Sequence, residues 1–295
     1  MTTTAGTKAY DGLIPEGRLD ELVRAWLAED VPSFDIGGAV VGTKQETATL
    51  LCKSPGVLAG RPFFDAVFRH LGCKVTWERE EGEMLAPSPG ERIQVATVQG
   101  EARKILLGER VALNTLARAS GIATRSRKMI SLKEEKGWKG VVAGTRKTTP
   151  GFRLVEKHAM LVGGADCHRM DLSSMVMLKD NHIWSQGSIP AAVSKARDMA
   201  GFSVKIEVEC GTEEEAREAI AAGADVVMLD NFSPDDLGCA AARIKDDHPH
   251  IIVEGSGGIT VESIQSYMHP SVDVLSTSWI HQGTPHVDFS LKINH

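Results

Sequence analysis

The chain has 295 residues, 42% of them hydrophobic and 24% charged, which is enough for one large globular domain or two moderate ones and unlike a fibrous, disordered or disulfide-stapled miniature protein. Its 33 Lys and Arg against 39 Asp and Glu leave a net charge of -6, which argues against an extended basic face for nucleic acid or anionic lipid. The five cysteines, Cys52, Cys73, Cys167, Cys210 and Cys239, are scattered and follow neither a disulfide framework nor a CxxC spacing. With no apolar signal core at the start and no long apolar run, the expected setting is the cytoplasm, with the nucleus left open.

Residues 1–17 are small and polar and are expected to form a loosely held tail. Leu19, Leu22, Val23, Trp26 and Leu27 fall at helical spacing, and Pro32 closes that helix. Stretches 48–52, 74–77 and 92–98 read as strands by alternation and β-branching, with a helix at 62–71, so a small α+β unit is expected here. From 101 to 136 the pattern is helical throughout, and Gly121 reads as a junction between two helices. Beyond Trp138, short apolar runs (GVVAG, SSMVMLKD, SVKIEVEC, ADVVMLDN, HIIVEGSGG, VDVLSTS) alternate with helical stretches at 191–200, 213–222, 234–246 and 261–268. Repeated βα units of this length predict a parallel sheet closed into a barrel or near-barrel, with a doubly wound open sheet as the competing fold.

Successive strand residues face opposite sides. Lys205, Glu207 and Glu209 therefore share one face of their strand, as do Met175, Met177 and Lys179, then Val226, Met228 and Asp230, then Ile252, Glu254 and Ser256. In a barrel, Lys179, Glu209, Asp230 and Ser256 would point inward at the C-terminal mouth, where such folds build their sites. Lys205 and Glu207 read as an ionic network that plugs the barrel interior.

Two further features point to anions. Residues 145–169 carry Arg146, Lys147, Arg153, Lys157 and Arg169 against only Glu156 and Asp166 inside an acidic protein, and Arg forks match carboxylate or phosphate oxygens in pairs. The turn Gly255-Ser256-Gly257-Gly258-Ile259-Thr260 offers close-approaching backbone N–H groups after the penultimate strand, a common barrel phosphate site. Neither GxxxxGK[ST] nor GxGxxG occurs, which speaks against nucleoside triphosphates and dinucleotides. A dedicated metal site at Asp180-Asn181-His182 or Asp230-Asn231 is not expected, since hard oxygen donors at strand ends suit Mg²⁺ carried in by a phosphate substrate. His168 reads either as a general acid or as a hydrogen-bonding partner.

With these residues assembled, the chain resembles the quinolinate phosphoribosyltransferase family along nearly its whole length. The matching stretches are KSPGVLAG (53–60), GERVALNTLARASGIAT (108–124), AGTRKTTPGFRLVEK (143–157), VGGADCHRMDLSSMVMLKDNH (162–182), KIEVEC (205–210), GADVVMLDNF (223–232) and the GSGGIT turn. The resemblance implies an α/β protein with an N-terminal α+β sandwich domain at 18–122, on which the tail 281–295 packs, and a C-terminal TIM-like, incomplete α/β barrel at 123–280. It implies transfer of the phosphoribosyl group of 5-phosphoribosyl 1-diphosphate to quinolinate with decarboxylation, giving nicotinate mononucleotide, CO₂ and diphosphate in de novo NAD synthesis.

Carried over by motif, Arg146 and Arg169 resemble the carboxylate clamps, with Thr145 and His168 beside them. Lys147 and Lys179 resemble phosphate and diphosphate contacts, Glu209 and Asp230 would hold the ribose hydroxyls partly through Mg²⁺, and Ser256, Gly257 and Gly258 would cradle the 5′-phosphate. Lys147, Lys179, Glu209 and Asp230 are the expected catalytic set. Ser276, Thr277 and Ser278 form the last phosphate-binding turn, with Ser278 standing where the family usually has glycine. Arg110 would reach the neighbouring subunit's site, so the resemblance implies a homodimer or a hexamer built from dimers. Two rival readings are a barrel lyase using Lys179 or Lys205 as a Schiff-base amine and a homologue that has lost turnover.

Overall fold

In a computed structural model the chain is described at Tyr10 and over residues 12–294; the expected loose tail falls mostly outside these residues. In chain order the elements are α1 (Glu16–Asp30), α2 (Ile36–Val41), β1 (Gln45–Cys52), β2 (Gly56–Val57), α3 (Arg61–His70), β3 (Lys74–Trp77), β4 (Met84–Leu85), β5 (Ile93–Glu101) and α4 (Ala102–Lys136). There follow β6 (Val141–Ala143), α5 (Arg153–Val162), β7 (Val176–Leu178), α6 (Asp180–Gln186), α7 (Ile189–Ala200), β8 (Ile206–Cys210), α8 (Glu213–Ala221), β9 (Val226–Asp230), α9 (Pro234–Asp247), β10 (Ile252–Ser256), α10 (Ile264–Tyr267), β11 (Val274–Ser276) and β12 (Phe289–Ile293). The residues divide into two compact units, one of 1–125, 150–164 and 284–295, the other of 126–149 and 165–283.

The first unit is built on an antiparallel sheet of order β12-β1-β5-β3. Its helix α3 presents Phe63, Phe64, Val67 and Phe68 at helical spacing, all fully buried. Phe64 meets Phe68 and Trp77 with ring centroids 4.9 and 5.2 Å apart, and the Trp77 indole donates to Asp65 at 2.7 Å, so the half-buried ring keeps a polar partner. The tail enters this unit as a strand, with Leu50 opposite Leu291 and Cys52 opposite Phe289.

Gly121 is not a helix junction, because α4 runs unbroken through it. The glycine answers a packing need instead: a Cβ there would lie 2.1 Å from the Pro285 carbonyl oxygen, a backbone atom with little room to give. A second correction concerns the basic segment. Its middle forms α5 and belongs to the first unit, where the Arg118 guanidinium donates to the buried Glu156 carboxylate at 2.8 Å and Lys157 is 1% exposed. The expected helix at 261–268 shrinks to one turn, since Ser263 ties its hydroxyl and amide back to Thr260.

The second unit holds a six-stranded parallel sheet of order β6-β11-β10-β9-β8-β7. The strands progress in one direction, and the first, β6, pairs with the last, β11. A doubly wound sheet would instead reverse at an internal switch point. On its other edge β6 makes a single bridge, Ala143 to Asp166, so the barrel is nearly but not fully closed. Ile206 and Val208 face the helices, fully buried, while the alternate residues face inward. No helix among the described residues is long and apolar enough to cross a membrane, and no disulfide joins the cysteines among them.

Candidate active site

All the strands of the second unit end at one mouth, and the loops beyond those ends enclose a cavity of about 680 Å³, within the range of small-molecule substrate sites. Its cations are Arg146 and Lys147 after β6, Arg169 after the Asp166 bridge and Lys179 after β7; its acids are Glu209, Asp230 and Glu254 from β8, β9 and β10. Of the residues expected at the site, Thr145, Arg146, Lys147, His168, Arg169, Lys179, Glu209, Asp230, Ser256, Gly257, Gly258, Ser276, Thr277 and Ser278 line this one cavity, and every lining residue belongs to the second unit. Arg110 lies in the first unit, exposed on α4. Arg153 and Lys157 do not join the cavity, for they sit on α5 of the first unit.

Charge is arranged in two groups. Arg169 is half-buried, and its guanidinium is held below its ordinary value first by burial and then by the positive charge of Arg146. An anion held between the half-buried Arg169 and the exposed Arg146 beside it would relieve the cost that burial and Arg146 impose on Arg169. The second group surrounds Asp230, whose carboxyl is pushed up by burial and by the charge of Glu209, with Lys179 and Lys147 pulling the other way. Lys179 is ion-paired to Glu209.

That pairing engages the nitrogen a Schiff-base mechanism would need free to attack a carbonyl. Lys205 is exposed, one residue before β8 begins, so it neither plugs the barrel nor reaches the mouth. The residue buried in that region is Glu207, fully enclosed beside Glu254. Burial, and then the neighbouring Glu254 charge, push its carboxyl up to about 9.

The Gly-rich turn owes its shape to a close approach between neighbouring strand ends. Gly257 has φ 104°, and a Cβ there would come within 2.4 Å of the Asn231 side-chain oxygen and 2.7 Å of its backbone nitrogen. Asn231 is itself left-handed at φ 60°, and its amide donates to the Asp230 carboxylate at 2.6 Å. In the last turn, Ser276 donates to Glu254 and Thr277 to the Ile259 carbonyl, so both hydroxyls serve the wall. Ser278 keeps a hydroxyl without an intramolecular bond among the described residues. Its backbone is not left-handed, so glycine is not required there.

Sequence reasoning reads Glu254 as an inward-facing strand residue and Glu207 as half of a Lys205–Glu207 plug, and counts neither among the site residues. His168 Nε2 lies 2.9 Å from Glu254 and 3.9 Å from Glu207, and the three groups cluster within 4.8 Å. The alternation in IIVEGS and KIEVEC pointed both carboxyls inward but carried no signal of depth. Asp180 lines a smaller adjoining cavity of about 330 Å³, while His182 accepts the Lys179 amide within its own turn.

Comparison with known proteins agrees with this geometry. Residues 35–120 match the family described as quinolinate phosphoribosyl transferase, N-terminal domain, and residues 122–292 the corresponding C-terminal domain. The chain is 50% identical over 292 residues to a nicotinate-nucleotide pyrophosphorylase [carboxylating] of Dictyostelium discoideum, covering 95% of this chain and 97% of that protein. It is 51% identical to the protein of that name from Rattus norvegicus, covering 95% and 93%. A solved nicotinate-nucleotide pyrophosphorylase from Francisella tularensis superposes with a TM-score of 0.85 at 33% identity, covering 95% of this chain and 98% of that one.

Proposed function

The chain belongs to the quinolinate phosphoribosyl transferase family, and we propose how the cavity of its second unit performs that family's reaction. The enzyme transfers the phosphoribosyl group of 5-phosphoribosyl 1-diphosphate to quinolinate, forming nicotinate mononucleotide, CO₂ and diphosphate on the route to NAD. The observation that carries the site assignment is the meeting of Arg146 and a half-buried Arg169, held below its ordinary value by burial and by Arg146, in the same cavity as the carboxylates Glu209 and Asp230.

Arg146 and Arg169 hold the two ring carboxylates and so aim the pyridine nitrogen at the anomeric carbon. As the nitrogen–carbon bond forms, the bond to diphosphate breaks and its electrons leave with the diphosphate, whose charge Lys147 and Lys179 receive. Glu209 and Asp230 hold the ribose hydroxyls and stabilise the positive charge that develops on the ring, a fixed-charge effect that usually supplies the largest catalytic contribution. The carbon–carbon bond to the 2-carboxylate then breaks, leaving its electron pair beside the cationic ring nitrogen, and the ring carbon takes up a proton. Ser256 to Gly258 and the 276–278 turn cradle the 5′-phosphate, the former through backbone N–H groups.

Mg²⁺ enters with the diphosphate substrate. The donor set fits it: burial and the charge of Glu209 push the Asp230 carboxyl up, so Asp230 and Glu209 would hold a hard cation whose charge would offset that cost.

A clamp built for two carboxylates discriminates against an acceptor with one. Nicotinate is expected to be ribosylated with kcat/KM lower than quinolinate by about 10² or more, since one desolvated Arg would be left without its partner. Chromatography of the nucleotide product measures this, and equal rates with both acceptors would refute the clamp.

We place the enzyme in the cytoplasm as a homodimer or an assembly of dimers, with Arg110 completing the neighbouring subunit's site. A mixture of Arg110→Ala and Lys147→Ala chains should then recover activity, because each hybrid dimer contains one site with both residues intact. Inactive hybrids of verified composition would contradict sharing.

A further inference from the structure

His168 sits at φ 56°, a left-handed conformation unfavourable for a residue with a Cβ. What holds it there is a set of contacts made by the whole residue. Its backbone N–H donates to the Asp166 carboxylate at 2.6 Å, and its Nδ1 accepts the Arg169 backbone N–H at 2.8 Å. A ring nitrogen that accepts an N–H carries no hydrogen, so the hydrogen of the neutral ring lies on Nε2. Nε2 faces the Glu254 carboxylate at 2.9 Å, whereas Glu207 is 3.9 Å away, beyond hydrogen-bond reach. Glu254, 2% exposed on β10, takes the Ser276 hydroxyl on its other oxygen, so β11 fixes the acceptor in turn.

We propose that Glu254 is a positioning residue for the acceptor end of the cavity: by taking the Nε2 hydrogen it fixes His168 in one tautomer and locks the turn that aims Arg169 at the ring dicarboxylate. This rests on the reading above that Arg169 holds quinolinate. It also assigns His168 a definite part. With both ring nitrogens engaged, the imidazole is a strut, and the proton taken up by the ring carbon after CO₂ leaves comes from another donor.

The test uses the full-length enzyme labelled with ¹⁵N-histidine, the His168 signals being those missing from His168→Gln. In the unliganded wild type at neutral pH, long-range ¹H–¹⁵N spectra should show His168 neutral with its hydrogen on Nε2. Glu254→Ala should lose that single tautomer and raise KM for quinolinate by about tenfold or more, the scale of one charge-assisted hydrogen bond, while KM for phosphoribosyl diphosphate stays within about threefold. Glu254→Gln, whose side-chain carbonyl can accept the same N–H, should restore most of both readouts. A hydrogen on Nδ1, an imidazolium, or loss of the Nε2 hydrogen on adding a divalent cation would overturn the proposal, as would equal changes in the two KM values or no change in either. The spectra need no substrate, so a wild type that shows the tautomer yet fails to use quinolinate would count against the function and leave the tautomer assignment standing.

Discussion

Replacing Arg169 by Ala is expected to weaken quinolinate binding by about 2–5 kcal/mol, the range for truncating one member of a desolvated charge pair. The affinity for phosphoribosyl diphosphate should change far less. The guanidinium is half-buried and depressed by both burial and Arg146, so its charge is held in an unfavourable place until an anion arrives. The nearby Glu207 offsets only part of that cost, since burial and Arg146 together outweigh it. Arg169→Lys preserves the charge and loses the planar fork, so it should recover only part of the loss. Calorimetric titration with each substrate separately measures the effect, and an equal loss for both ligands would remove Arg169 from the dicarboxylate.

Glu207→Gln is expected to stabilise the protein at pH 7 by roughly 3 kcal/mol. The carboxyl moves from an ordinary 4.5 to about 9 in the folded chain, so its contribution to stability is fully present below 4.5 and is lost as pH rises toward 9. At pH 7 the unfolded chain ionises this group and the folded chain does not, and that difference favours unfolding. Glutamine has the same shape and no proton to lose, so its advantage should be large at pH 7 and fade toward pH 4.5. Urea midpoints at pH 5 and pH 7.5 provide the comparison. A difference between variant and wild type that does not grow with pH would place an ionised carboxylate in the barrel.

The site was legible largely because strand alternation is a covalent property of the chain. Met177 with Lys179, Met228 with Asp230 and Glu254 with Ser256 share faces by parity alone, and all six line the cavity. Parity says which side a residue faces and not how deep it lies. For that reason Glu207 and Lys205 read as a pair, although one is fully buried and the other precedes the strand in solvent. Gly121 misled because a glycine in a helix has the same local signature whether the helix ends there or a distant carbonyl presses on it, and Pro285 is remote in sequence. The cationic run from 145 to 169 looked like one patch because its residues are consecutive. Helix α5 carries Arg153 and Lys157 into the other unit, and only the cations at its two ends remain at the mouth.

The central claim is that one cavity joins a dicarboxylate to phosphoribosyl diphosphate and expels one of the carboxylates. Release of labelled CO₂ from quinolinate carrying the label in its 2-carboxylate tests it most directly, measured with and without phosphoribosyl diphosphate and Mg²⁺. The account predicts release only when both are present, in equal amount to nicotinate mononucleotide formed. Release without the ribosyl donor, or none with it, would contradict the account.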